Sequence, residues 1–362
     1  MSSATRHREL GRGERILPGI WRLRLPLPWP GIPHCNAWAV AAGDGVVLFD
    51  CGLHEPGSLA QLERAMAQCG LRLEHVRLLV CTHAHADHYG QAASIIDATG
   101  CELWMHSDHA HMRAAIDDPD EVRARRLEIA LQSGVPIGPL RAWSQSARER
   151  GSGVARLVEP DRELVAGVAV ETDVGRWTVV ETPGHAPSHV CLHEPERRLL
   201  ISGDHLLGRV SLYFDYGWTP DPVGEFLGSL DRVQALDARL CLAGHARTFT
   251  DVQAHIEANR ALVDERLRVV ARAVAERGPI TAYEIVPLLY GEQLTQLTAA
   301  WWLQETLCYL RRLEVVGAIE RVAEDPQRWA ARRPARLLLE QQPEDPEQPA
   351  RLQPGAQRPG LR

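Results

Sequence analysis

The chain has 362 residues, too many for one average domain and enough for two or three. Apolar residues make up 45% and charged residues 24% of it, which excludes a wholly disordered chain, a collagen and a disulfide-stapled miniprotein. The net charge is −7 and all 40 basic residues are arginine. That argues against a strongly basic nucleic-acid binder and removes any chemistry that needs a lysine, whether a Schiff base or a phosphate-loop lysine. The eight cysteines, at 35, 51, 69, 81, 101, 191, 241 and 308, form no CxxC pair. Most lie in apolar runs and read as small buried hydrophobes of a reduced, cytoplasmic protein. The polar N-terminus has no apolar export core, and no run approaches the roughly 18 apolar residues of a membrane span.

In chain order, residues 1–15 read as a frayed, flexible N-terminus. Residues 26–34, with four prolines, read as a loop. Strands are expected at Ala37–Ala42 and Val46–Asp50, joined by a Gly43-Asp44-Gly45 turn. A helix over Gly57–Cys69 closes at Gly70, and a buried strand follows at Val76–Cys81. A second helix, Tyr89–Thr99, stops at Gly100 before a strand at Cys101–Met105. Residues 107–150 read as a helical insert broken at Pro119, Pro136 and Pro139. Strands resume at Glu163–Val170, Trp177–Glu181, His189–His193 and Arg198–Ser202. A helix at Pro222–Leu236 and a strand at Arg239–Ala243 complete an alternation that indicates layers of sheet covered by helices. From about 252 the texture is helical. A helix starting near 281 has Thr281 as N-cap and Glu284 completing a capping box. Another covers 296–313 with Leu303, Leu307 and Leu310 on one face. A hairpin is expected from Val315–Val322 and Ala335–Leu339, and a disordered Pro/Gln-rich tail over 337–362.

The chemistry concentrates in Thr82-His83-Ala84-His85-Ala86-Asp87-His88, an HxHxDH run directly after a strand. His83 and His85, two apart, project to one side, and Asp87 and His88 follow where the chain turns into a helix. Four N/O donors within six residues crowd a single tetrahedral site. They can serve two adjacent sites if other loops complete each. Three loops offer donors: Pro183-Gly184-His185, Ser202-Gly203-Asp204 and Ala243-Gly244-His245, each following an apolar strand beside a glycine. Strand ends beside such turns are where sheets with helices build sites.

With Asp50 in Leu48-Phe49-Asp50-Cys51-Gly52, this order resembles the metallo-β-lactamase-fold hydrolases over roughly residues 16–256. The resemblance implies an α/β (α+β) chain built as a four-layer αββα sandwich with a dinuclear site at one edge. His83, His85 and His185 would hold the first metal, and Asp87, His88 and His245 the second. Asp204 would bridge both, and Asp50 would orient ligands from behind. Asp87, Asp204 and Asp50 would thus form the catalytic carboxylates. The donors suit two divalent ions, zinc first, with iron or manganese as alternatives. Such a pair shares a bridging water, lowers its pKa from about 15.7 toward 7 and delivers hydroxide to an electrophile, so the implied reaction is hydrolysis.

Other histidines read differently. His106, His109 and His111 are expected at a strand end and a helix start, not as a third metal site. His205 is expected to point away from the centre, and His189 to be structural. The segment 209–218, Arg-Val-Ser-Leu-Tyr-Phe-Asp-Tyr-Gly-Trp, concentrates aromatics after Asp204. Arg209, Tyr213 and Tyr216, with Trp29 from the proline-rich loop, are the candidate substrate contacts, and the helical insert is a candidate lid. The resemblance is nearest to the glyoxalase II-like (hydroxyacylglutathione hydrolase) and acyl-thioesterase branches, which implies a small acyl thioester or ester as substrate. Residues 257–336 resemble the winged-helix extension of the β-lactamase-like protein 2 branch. This keeps open a metal-dependent ribonuclease or phosphodiesterase that docks nucleic acid on that part. Residues 262–336 hold eleven Arg against ten Asp and Glu, too balanced for a phosphate-neutralising module. Packing or self-association as a homodimer is the expected role, with neither nucleic acid nor membrane as partner. Trp301 and Trp302, about 100° apart on a helix, are expected to face two different neighbours.

Overall fold

The computed structural model describes residues 10–29, 31–138, 140, 151–291 and 296–332, apart from the side chains of 296–300. The Pro/Gln-rich tail and the end of the helical insert lie outside the described residues. Two sheets face each other. The first runs in spatial order β1 (Arg12–Leu17), β2 (Ile20–Trp29), β3 (Ile32–Ala42), β4 (Gly45–Phe49), β5 (Val76–Val80), β6 (Glu102–Met105) and β7 (Arg162–Glu163). Pairing is antiparallel up to β4 and parallel from there to β7. The second has the order β12 (Leu240–Ala243), β11 (Leu199–Gly203), β10 (Val190–Glu194), β9 (Gly175–Glu181) and β8 (Ala169–Thr172). Its centre is buried on both faces: every residue of β10 and β11 is buried, as expected where other layers cover both sides of a sheet.

Three layers of apolar packing follow. Between the sheets lie Trp38, Val40, Phe49, Val80, Trp177, Leu192 and Ile201, with the Phe49 and Trp177 rings 5.9 Å apart. Each such side chain contributes roughly 1.5–3 kcal/mol of burial. Outside the first sheet, α1 (Ser58–Gln68) and α3 (Ala92–Thr99) bury Leu62, Met66, Ala92 and Ile95. Outside the second, α6 (Pro222–Gln234) buries Val223, Phe226 and Leu230. The resulting order is helix, sheet, sheet, helix, the αββα sandwich expected.

Several expectations need correction. Residues 26–29 and 32–34 are not a loop but the far ends of β2 and β3, with Pro26 opposite His34 and Trp29 opposite Ile32. β1 covers β2 only from Ile20 to Arg24, so Pro26 and Pro28 lie where the other side of the strand is unpaired and a missing N–H costs little. Of the N-terminus expected to fray, residues 1–9 lie outside the described residues, while Arg12–Leu17 form β1, paired with β2. The strand expected over Glu163–Val170 is two strands in different sheets, β7 and β8, separated at Gly167, whose φ is +89°. The second strand of the C-terminal hairpin is not Ala335–Leu339, which lies outside the described residues. β13 (Ile319–Glu324) pairs with β14 (Gln327–Ala331), which buries Trp329.

The insert forms α4 (Ala110–Asp117) and α5 (Pro119–Gln132). α5 is anchored at its C-terminal end. Its Ala130 packs in the outer core of the second sheet, and Ser133 just beyond it accepts a bond from Tyr283 N at 3.0 Å. The C-terminal elements are α7 (Val252–Arg277), α8 (Ala282–Tyr290), α9 (Gln296–Val315) and the β13–β14 hairpin. The boundary expected near 256 falls inside α7. Leu303, Leu307 and Leu310 share one core with Phe214, Phe226 and Leu230. Trp302 stacks on Tyr290 at 4.9 Å, within the C-terminal part, while Trp301 meets Trp29 of β2 edge-on at 6.1 Å. Two adjacent tryptophans thus serve two neighbours, as the helical angle requires.

Candidate metal centre

The segments that carry the HxHxDH run and its companions leave strands at the same edge of the sandwich. β4 ends in Asp50 and β5 leads into 82–88, where α2 (Ala86–Tyr89) begins. His185 follows β9, Asp204 follows β11 and His245 follows β12. Asp50 has φ +60°, a left-handed conformation that costs a non-glycine residue energy and tends to be kept at functional sites. Glycine is needed beside the donors. A Cβ on Gly244 would collide with Asp204 Oδ1 and lie 2.8 Å from His88 Cε1; one on Gly203 would lie 2.7 Å from Thr82 Oγ1 and from His189 Nε2.

Each of five imidazoles is held at one nitrogen by a partner outside the centre. His88 Nδ1 donates to Asp50 Oδ2 at 2.8 Å. Asp50 Oδ1 in turn accepts from Thr82 N at 2.7 Å, and its Oδ2 from Thr82 Oγ1 at 3.0 Å. Because the Thr82 hydroxyl proton is committed to Asp50, its oxygen accepts from His83 Nδ1 at 3.0 Å. His185 Nδ1 donates to the Tyr213 carbonyl at 3.1 Å, and His245 Nδ1 to the His34 carbonyl at 2.9 Å. His85 is held at the other nitrogen, its Nε2 lying 2.7 Å from Asp215 Oδ2. The inward nitrogens are therefore Nε2 of His83, His88, His185 and His245, and Nδ1 of His85. His85 Nδ1 lies 3.1 Å from His83 Nε2 and 2.9 Å from His185 Nε2. On the other side His245 Nε2 lies 3.2 Å from both Asp87 Oδ2 and Asp204 Oδ2, and His88 Nε2 lies 3.4 Å from Asp204 Oδ1. Anchoring a ring at its outer nitrogen is how proteins fix tautomer and aim in metal-ligating histidines.

Among the described residues four groups of donors could each hold an ion: His83/His85/His185 and Asp87/His88/His245, with Asp204 beside both, and also His83/His88/Asp204 and His85/His111/Asp215, the last against the expectation for His111; in each the donor atoms lie within 4.8 Å of one another. Asp204 Oδ1 is buried and makes no hydrogen bond, a costly state for a carboxylate oxygen unless a cation satisfies it. The electrostatics agree. Burial pushes His88 down, but the carboxylates of Asp204, Asp87 and Asp50 outweigh it and hold the ring well above its ordinary value. Burial likewise opposes protonation of His245, yet Asp204 and Asp87 raise it to about 10. His83 and His185 stay neutral: burial lowers both, helped by neighbouring imidazoles, His185 to about 4. The carboxylate side of the centre thus attracts positive charge, and protons held there are the ones a metal displaces on binding. The donor set, imidazole and carboxylate, fits a divalent metal.

Other expected residues fall as follows. His189 is structural: its Nδ1 bonds Thr182 Oγ1 at 2.8 Å, and its Nε2 accepts from Asp204 N at 3.0 Å, fixing the loop that carries Asp204. His205 is buried beside Phe226 and makes no hydrogen bond. His106 accepts from Asp108 N and His109 sits at the N-cap position of α4 without a side-chain capping bond; neither joins the centre. His111 does come close, its ring 5.7 Å from His85. In the aromatic segment, odd and even residues face opposite ways. Tyr213 packs against His85 and His185 and donates to Asp215 Oδ1 at 3.1 Å, whereas Phe214 is buried against Phe226 and Tyr309. Tyr216 lines a cavity of about 290 Å³ between α5 and α9, with Arg125 and Leu307, and does not border the centre. Trp29 is occupied by Trp301. Arg209 lines a groove on the His245 side. Asp215 is the functional side chain that the sequence reading missed. Its only signal is a lone carboxylate inside an aromatic run.

Residues 30–245 match the family model of the metallo-beta-lactamase superfamily, and the chain belongs to that superfamily. It is 28% identical over 313 residues to "Probable metallo-hydrolase YqjP" of Bacillus subtilis, covering 82% of this chain and 92% of that one. It is 25% identical over 234 residues to the bovine "Acyl-coenzyme A thioesterase MBLAC2", covering 60% of this chain and 74% of that one. A crystal structure of a metallo-beta-lactamase family protein from Thermus thermophilus superposes with a TM-score of 0.75 at 28% identity, covering 88% of this chain and all of that one. The class is that of a metallo-hydrolase. No described helix is long and apolar enough to cross a membrane.

Proposed function

We propose that the protein hydrolyses a small acyl thioester or ester at a dinuclear centre of two divalent ions, zinc being the best match to the donors. The observation that carries this reading is the pair of triads meeting at Asp204. His83, His85 and His185 would hold one ion, Asp87, His88 and His245 the other, and Asp204 would touch both. When bound, such a pair polarises an acyl oxygen and makes water a strong nucleophile near neutral pH. The chain's own residues set the geometry. Asp50, Asp215 and the carbonyls of His34 and Tyr213 hold the outer N–H groups, so the inner nitrogens converge without reorganisation. The Tyr213 ring forms an apolar wall beside His85 and His185, suited to an acyl chain. The thioester preference is supported by the name of the bovine relative.

The reading is tested by metal analysis and a substrate panel. Purified protein is expected to carry about two equivalents of metal and to lose thioester hydrolysis on chelation. His85→Ala should lower metal content and Asp204→Ala should lower it further, each with loss of turnover. Full thioesterase activity in either variant would refute the dinuclear reading. Metal-dependent cleavage of RNA without thioester or ester turnover would refute the substrate class.

A further inference from the structure

Three elements meet on the outer side of His85. The loop after β5 brings His85 itself, α4 brings His111 and the aromatic segment brings Asp215. One donor atom from each lies within 4.8 Å of the other two. His111 is the member that the dinuclear centre leaves unused. It is 8% exposed, and neither of its ring nitrogens makes a hydrogen bond. Such burial is costly, because both nitrogens have given up water without a replacement. The ring is packed between His85 at 5.7 Å and Trp218 at 6.0 Å. Burial lowers its pKa to about 4 against the pull of Asp215, so it stands neutral with a lone pair to offer. Asp215 is charged and has capacity left. Its Oδ2 lies 2.7 Å from His85 Nε2 and its Oδ1 accepts from the Tyr213 hydroxyl at 3.1 Å, and each carboxylate oxygen can take a further partner.

We infer that His111, Asp215 and His85 Nε2 form a third metal site, for a divalent ion of the zinc type, which fills after the dinuclear centre. Two imidazoles and a carboxylate suit zinc and leave one tetrahedral position open. The inference goes beyond the hydrolase reading and does not depend on the substrate. It shares one residue with the centre, His85, whose Nδ1 faces the first triad and whose Nε2 faces the third site. The imidazole would then bridge two ions. The proton that His85 Nε2 shares with Asp215 leaves as the third ion enters. Zinc sits about 2.0–2.2 Å from such donors, so it takes the place of that bond and parts the two atoms slightly. Asp215 is thereby an anchor while two ions are bound and a ligand when a third arrives. Giving up that proton beside an ion already held at Nδ1 makes this the weakest of the three sites.

Dialysis of the full chain against buffered free zinc, with bound metal counted by mass spectrometry, should give two equivalents at low free zinc and a third as it rises. His111→Phe keeps a ring between His85 and Trp218 and removes both nitrogens. It should retain the first two equivalents and its circular dichroism, and bind the third at least about tenfold more weakly. If that variant does not fold, His111→Leu carries the same test. Zinc-edge anomalous scattering from zinc-soaked crystals of the unaltered chain needs no substitution and should place the third ion among His111, Asp215 and His85. Saturation at two equivalents, a third equivalent held equally by wild type and variant, or crystals with no ion beside His111 would overturn the inference. The dinuclear reading is judged separately by the first equivalents. One equivalent at low zinc followed by a His111-dependent one keeps this site and removes that reading. Two equivalents with no His111-dependent third do the reverse.

Discussion

Asp215 reaches His85 across 130 residues of sequence and does for that ring what Asp50 does for His88. Burial opposes its charge, but His85 together with His111 and His185 holds the carboxyl far below its usual range, so it stays an acceptor at any working pH. Removing it leaves His85 Nε2 without its partner and the ring free to turn its Nδ1 off the first triad. Asp215→Ala is therefore expected to lower metal affinity by about 10–100-fold, as loss of such anchors does, with the second triad less affected. Competition against a graded chelator series measures this. Unchanged affinity would show that packing by Tyr213 alone aims the ring. The ligands themselves were legible, because histidine and aspartate at five strand ends, three of them beside a glycine, are dense signals. Asp215 was not: nothing local distinguishes an anchor from a solvated carboxylate, and its partner is fixed only by the fold.

Where local chemistry decides, elements were legible. α8 begins as the sequence indicates. Glu284 N donates to Thr281 Oγ1 at 3.3 Å, and Thr281 N to Glu284 Oε2 at 2.8 Å. Thr281 is buried against Gly134, which follows α5, so this cap lies at a junction and not on a free helix end. Thr281→Ala should cost about 1 kcal/mol, seen as an equal shift in thermal and denaturant midpoints, while Thr281→Ser should recover most of it. If the serine variant is as unstable as the alanine one, the lost methyl contact with Gly134 is the cause and not the cap. Elements whose identity depends on distant pairing were not legible. Prolines at 26 and 28 argue for a loop until one knows that β1 stops opposite Arg24. The β14 strand has no alternation to announce it; it is set by Trp329 entering the core and by its bonds to Ile280 at 3.0 and 3.1 Å.

Over the whole molecule, the C-terminal helices close the outer face of the second sheet, and this core encloses a titratable group. Glu305 of α9 is buried, with Tyr309 donating to its Oε1 at 2.6 Å. Burial raises its pKa from 4.5 to about 7, only partly offset by the Tyr309 bond and by Arg266. The folded protein therefore holds a proton between these values that the unfolded chain has released. Stability from this group is complete below about pH 4.5, declines as pH rises to about 7, and is level above that. A tenfold difference in proton affinity between the folded and unfolded chain is worth about 1.4 kcal/mol, so the decline amounts to about 3 kcal/mol. Glu305→Gln keeps an oxygen for the Tyr309 hydroxyl and has no charge to bury, so it should be the more stable protein at alkaline pH and nearly equal at acid pH. The centre's own histidines titrate in both proteins, so the difference between their denaturation free energies isolates Glu305. That difference should grow from near zero at about pH 5 to about 3 kcal/mol at about pH 8. Parallel stability curves would mean that Glu305 ionises in place, solvated by water entering between α8 and α9, and that the C-terminal layer is looser than its packing implies.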